Sequence, residues 1–153
     1  YKLAAIADDQ GGFIPKIKLS ENTEKVTNPG NKTFFRIYDK ESGKIKADLI
    51  CLHDETFDTD QDMKLFDPNE PWKKTTLPGG SYTMKEMLVP VICQGKRVYD
   101  TPPVMEIQKI CNQEKETLWE ENKRFTNPSK IHVDLSQKLY DMKISLLNQM
   151  SQV

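Results

Sequence analysis

The sequence predicts an α+β domain: mostly antiparallel strands over the first two-thirds, then two helices at the end. Two patterns and their order predict it. Apolar and polar residues alternate with a period of two in several short runs before residue 100, and strand formers fill them. After Thr101 the period changes to three or four. Runs of strands followed by helices, rather than strand and helix by turns, give an α+β fold.

The elements follow in order. Tyr1 to Ala7 is apolar and strand-like. Asp9-Gln10-Gly11-Gly12 is a tight turn. Phe13 to Leu19 alternates, with Ile17 and Leu19 on one face and Lys16 and Lys18 on the other; Pro15 puts it near a strand start or on an edge. Asn28-Pro29-Gly30 turns the chain into Lys32 to Tyr38, so Lys16 to Tyr38 reads as one hairpin-like unit. It carries four lysines and an arginine within 21 residues. Ile45, Ala47, Leu49 and Cys51 form a strand that pairs back on Phe34 to Tyr38. His53 to Asp62 is an acidic loop, Met63 to Phe66 a short strand, and Trp72 to Thr76 another. Met84 to Tyr99 is a hairpin with its turn at Gly95. A helix begins at Thr101-Pro102-Pro103, where a hydroxyl can cap and proline is tolerated. Its stripe of Ile107, Ile110, Cys111, Leu118 and Trp119 carries it to about Arg124. A last helix starts at Asp134 or Ser136, with Leu135, Leu139, Met142 and Leu146 in one stripe.

Composition narrows the functions. A chain of 153 residues is one domain's worth or two small lobes. Its hydrophobic content of 37% is low, so it has a modest core or hides a face against a larger protein. The net charge of −1 gives no global field to favour nucleic acid or an anionic membrane. No apolar run is long enough to span a bilayer. Cys51, Cys93 and Cys111 are widely spaced beside apolar residues and read as reduced, packed thiols of a cytosolic protein.

Several ordered pieces carry a resemblance. They are Tyr1-Lys2-Leu3, Lys18-Leu19-Ser20, Glu24 to Gly30 with Lys32 and Arg36, Leu88 to Val91 with Gly95-Lys96, and Asp134 to Leu139. In this order they resemble the C-terminal domain of nicotinate phosphoribosyltransferase of the Gram-positive bacterial type. The resemblance implies that residues 1–153 are the last domain of a larger cytoplasmic enzyme. Within it, 1–100 would be the strand-rich part and 101–153 the two-helix part. That enzyme forms nicotinate mononucleotide from nicotinate and phosphoribosyl pyrophosphate with ATP hydrolysis. Its catalytic histidine belongs to an upstream barrel domain, so the resemblance implies no catalytic residue here. It also implies ATP and Mg2+ as cofactors of the parent enzyme, with none bound by this domain alone. The partners it implies are the upstream barrel and a second subunit of a homodimer.

Lys18, Lys16 and Lys25 are the candidate site residues. Under the resemblance they hold phosphates in a site shared between subunits, a role suited to lysine as a mobile point charge. On the plain reading they are a solvated face of an edge strand, where lysines discourage aggregation. Asn28-Pro29-Gly30 reads as a structural turn rather than an anion-binding nest, because proline removes a donor. Asp58, Asp60 and Asp62 have the first spacings of an EF-hand loop, but Met63 and Asn69 stand where glycine and glutamate are needed. Neither His53 nor His132 has triad partners in sequence, and Asn31-Lys32-Thr33 is a coincidental glycosylation pattern.

Overall fold

The computed structural model describes residues 2–21, 25–68, 70 and 73–151. The expectations resting on Tyr1, Glu24, Asn69, Pro71 and Trp72 lie outside them. The architecture is α+β, as the patterns predict. A six-stranded sheet is built from β3 (Lys32–Asp39), β4 (Ile45–Leu52), β5 (Met63–Phe66), β6 (Lys74–Leu77), β7 (Tyr82–Glu86) and β10 (His132–Leu135), in the order β6-β5-β10-β4-β3-β7. Two small hairpins stand apart from it: β1 (Ala5–Ala7) with β2 (Phe13–Pro15), and β8 (Ile92–Cys93) with β9 (Lys96–Arg97). The helices are α1 (Val104–Glu116) and α2 (Gln137–Ser151).

The sheet buries both faces, and alternation in β4 explains how. Ala47, Leu49 and Cys51 point to one side, where they meet Ile37, Met63, Leu65, Leu77 and Tyr82. The 53–62 loop covers this side through Phe57, whose ring meets Phe35 edge-on at 5.8 Å. Ile50 and Leu52 point to the other side, where α2 packs through Leu139 and Met142. Phe66 of β5 stacks on Tyr140 of α2 at 6.0 Å. Also on this second side, Arg36 lies opposite Asp48 and makes two bonds to its carboxylate, at 2.8 and 3.0 Å.

Several expectations are corrected. β2 ends at Pro15, so Ile17 and Leu19 are not in a strand, and β2 pairs with β1 rather than with the strand after Gly30. Its partner is fixed by the Asp8 carboxylate, which accepts the Gln10 and Gly12 N–H groups and closes the turn. The Met84–Tyr99 hairpin is two elements. Its first residues belong to β7 on the main sheet, and only β8–β9 turns at Gln94-Gly95, with φ of 49° and 75°. The strand expected at Trp72 to Thr76 is Lys74–Leu77 in the described residues.

Helix α1 stops eight residues short of Arg124. The Thr117 hydroxyl bonds back to Glu114 O at 2.7 Å, and the Lys44 ammonium takes the carbonyls of Glu116 and Leu118. Ile45 N–H takes the carbonyl of Thr117. Sheet groups therefore occupy the carbonyls that a continuing helix would use. Its N-cap is Pro103, with no side-chain cap, so Thr101 does not serve. None of its residues is buried, so the stripe of Ile107, Ile110 and Cys111 is a free face of this chain. The last helix does not start at Asp134 either. That residue lies in β10, the one strand of the sheet that runs parallel to its neighbour β4, and Ser136 caps α2 through its hydroxyl to Leu139 N–H at 3.2 Å. Of the cysteines only Cys51 is buried. Cys93 and Cys111 are exposed because β8 and α1 stand off the core.

Candidate functional site

The lysine-bearing segment after β2 has no strand partner of its own, yet its backbone is fixed at several points. Ala4 O accepts two bonds, from Lys16 N–H at 2.8 Å and from Gly30 N–H at 2.7 Å. That one carbonyl clamps the Lys16 segment beside the Asn28-Pro29-Gly30 turn. Lys18 N–H donates to the Thr27 hydroxyl at 3.0 Å, and Lys2 Nζ donates to Lys25 O at 2.6 Å. Lys16, Lys18 and the leg from Lys25 to Gly30 therefore lie side by side. Lys18 and Lys25 are exposed and Lys16 is half-buried. None of the three ammonium groups has an ion pair among the described residues.

The turn beside them is buried at Pro29 and Gly30, and glycine is required there. Its φ is +86°, and a Cβ would sit 2.8 Å from Leu52 Cδ2 and 3.3 Å from Met142 Sδ. β4 and α2 thus close on the turn from two sides, and a lysine of β3 and one of α2 reach it. Lys32 Nζ donates to Gly30 O at 2.6 Å, and Lys143 Nζ donates to Asn28 Oδ1 at 3.0 Å. Burial pushes both ammonium groups below the usual lysine range. The plain reading of the segment missed this pair. A signal was present, because Lys143 falls four residues after Leu139 and three before Leu146, inside the apolar stripe of α2.

A cavity of about 390 Å³ opens between the β1–β2 hairpin, this turn and the start of α2. Phe13, Pro15, Leu52 and Met142 form its apolar wall, and His53 and the Asp54–Lys138 ion pair its polar rim. Pro15 directly precedes Lys16, so the cavity borders the lysine segment.

The other candidates serve the fold. Asp58 Oδ1 accepts Asp60 N–H, and Asp62 Oδ1 accepts Gly79 N–H at 2.8 Å. Tyr82 donates its hydroxyl to Gln61 O at 3.0 Å, and Gly80 N–H bonds to Thr59 O. The acidic loop is thereby tied down onto the 78–80 turn. His53 and His132 are exposed at opposite ends of β4. Thr33 is buried and gives its hydroxyl to Glu86. Among the described residues no helix is long and apolar enough to cross a membrane.

An α+β domain of this order, a six-stranded sheet with two helices toward the end, has known counterparts. The model of the nicotinate phosphoribosyltransferase C-terminal domain matches residues 31–143, and the chain belongs to that family. It is 30% identical over 149 residues to nicotinate phosphoribosyltransferase of Bacillus subtilis, covering 97% of this chain and 30% of that protein. It is also 30% identical to the Caenorhabditis elegans nicotinate phosphoribosyltransferase, over 92% of this chain and 24% of that protein. The crystal structure of human nicotinic acid phosphoribosyltransferase superposes with a TM-score of 0.70 at 22% identity, over 79% of this chain and 24% of that chain. The chain thus spans under a third of the length of these relatives.

Proposed function

We propose that this chain is the C-terminal domain of a cytoplasmic, homodimeric nicotinate phosphoribosyltransferase. The whole enzyme would form nicotinate mononucleotide from nicotinate and phosphoribosyl pyrophosphate, coupled to ATP hydrolysis. In that enzyme residues 1–153 pack on an upstream barrel domain, and Lys18, with Lys16 and Lys25, contacts phosphates of the bound ligands. Alone, the domain turns over nothing. The observation that carries the reading is the pinned segment: three ammonium groups without carboxylate partners among the described residues, on backbone held by Ala4 O and the Thr27 hydroxyl. Fixed backbone below mobile cations suits phosphate binding, since the charges are already gathered when the ligand arrives.

The donor set fits the phosphates of ATP and of phosphoribosyl pyrophosphate. It does not fit Mg2+, which needs carboxylate oxygens, and none pairs with these lysines among the described residues. On this reading ATP supplies phosphoryl chemistry at the barrel, and this domain's part is to hold and orient charge.

The second reading is a scaffold that makes no ligand contact, favoured by the exposure of Lys18 and Lys25, which lets solvent answer their charge. The test is Lys18→Ala in the full-length enzyme. Losing one charge-assisted contact should raise the KM for phosphoribosyl pyrophosphate about tenfold. An unchanged KM with a lowered melting temperature selects the scaffold.

A further inference from the structure

Charges taken out of water are ordinarily paired. The rule holds over most of this domain. Half-buried Arg36 has Asp48, and half-buried Lys46 has Asp39. Lys44, the half-buried exception outside the site, lies across the carbonyl end of α1, where the helix dipole supplies negative charge. Lys32 and Lys143 have neither arrangement. Each is half-buried, each makes one bond to a neutral oxygen, and no carboxylate lies within ion-pair distance of either among the described residues.

The two belong to different elements, β3 and α2, but both reach the same three-residue turn. An ammonium has three donors. One carbonyl or amide oxygen apiece leaves donors and charge unanswered on both. Lys143 sits in the stripe by which α2 packs on the sheet, where an apolar residue would bury more surface at no desolvation cost. Keeping two such lysines beside one turn is a stability cost that no carboxylate offsets among the described residues.

We infer that Lys32 and Lys143 form an anion subsite with the Asn28-Pro29-Gly30 turn, and that its occupant is a phosphate group of a bound ligand. A phosphate fits better than a protein carboxylate. One carboxylate would neutralise one lysine, whereas Lys16, Lys18 and Lys25 alongside are also without carboxylates among the described residues. The whole locus asks for a polyanion, and lysines without arginine favour point-charge contact over bidentate clamping. The inference rests on the reading of the lysine segment as phosphate-binding and adds two residues that lie under it rather than on it.

The test is calorimetric titration of inorganic pyrophosphate into the full-length protein that carries this chain. Lys32→Met, Lys143→Met and Lys18→Ala are compared with Lys85→Met, whose ammonium is already held by Glu114 away from the turn. Lys32→Met and Lys143→Met should each weaken binding at least about tenfold, while Lys85→Met stays within about twofold. The unliganded Lys143→Met protein should melt no lower than wild type, because a half-buried charge has been replaced by an apolar chain. Weak binding by Lys143→Met with normal binding by Lys18→Ala would keep this subsite and remove Lys18 from the phosphate site. Unchanged binding by Lys32→Met and Lys143→Met would overturn the subsite, whatever Lys18→Ala does. A lowered melting temperature in Lys143→Met and Lys143→Gln with unchanged affinity would make Lys143 a structural residue and overturn it too.

Discussion

Replacing Leu139 by alanine removes three carbons from a side chain with no exposed surface, packed among Leu52, Leu135, Ile50, Tyr140 and Met142. At about 0.8 kcal/mol per buried carbon the transfer loss is about 2.4 kcal/mol. A partly relaxed cavity adds about 1–2 kcal/mol. The expected loss of about 3–4 kcal/mol should lower Tm by about 8–14 °C in a domain of this size. The comparison is Ile107→Ala on α1. Ile107 belongs to a stripe of similar appearance in sequence, but it is 46% exposed and its helix buries nothing. Its substitution should cost under about 0.5 kcal/mol. Urea melts of the 153-residue chain, followed by far-UV circular dichroism, give both values. Equal losses for the two variants would refute the claim that α2 is core and α1 is a free face.

Three further outcomes follow from the geometry. Asp134 is 6% exposed, and burial raises its carboxyl above the usual range. A folded-state pKa above the unfolded one stabilises at low pH, and the benefit is lost as pH rises through the folded value. Asp134→Asn should therefore be the more stable protein at pH 7, and the gap should close on acidification; a constant gap across pH would contradict this. Asp48→Ala leaves the Arg36 guanidinium half-buried with only Glu114 at 4.0 Å, and should cost about 3 kcal/mol in chemical denaturation. A double-mutant cycle with Arg36→Ala should return a coupling above about 1 kcal/mol. Gly30→Ala places a Cβ 2.8 Å from Leu52 in left-handed backbone, and should cost about 2 kcal/mol by the same melts; a neutral result would mean the turn can reshape.

Much of the fold was legible because burial there is one-sided or strictly alternating. β3 and β4 show their faces residue by residue, and Leu139 and Met142 mark α2. The limits came where partners far along the chain decide. In sequence Lys130 to Val133 reads as a loop or a short strand, because a run this short without clear alternation is fixed as a strand only by its place between β4 and β5. α1 ends early because Lys44 and Ile45, over 70 residues away, take its last carbonyls. Its apolar stripe was real, but periodicity says only that a face is apolar, never what covers it. The candidate site divides the same way. Lys16, Lys18 and Lys25 stood out by density. Lys32 belongs to the same dense run and Lys143 interrupts the apolar stripe of α2, but what sets the two apart is burial without a carboxylate, and sequence does not show burial.

The most direct measurement is product formation from nicotinate and phosphoribosyl pyrophosphate, in the presence of ATP and Mg2+, by the full-length protein and by residues 1–153 alone. The account predicts nicotinate mononucleotide from the full-length protein and none from residues 1–153. Turnover by the 153-residue chain, or none by the full-length protein, would contradict it.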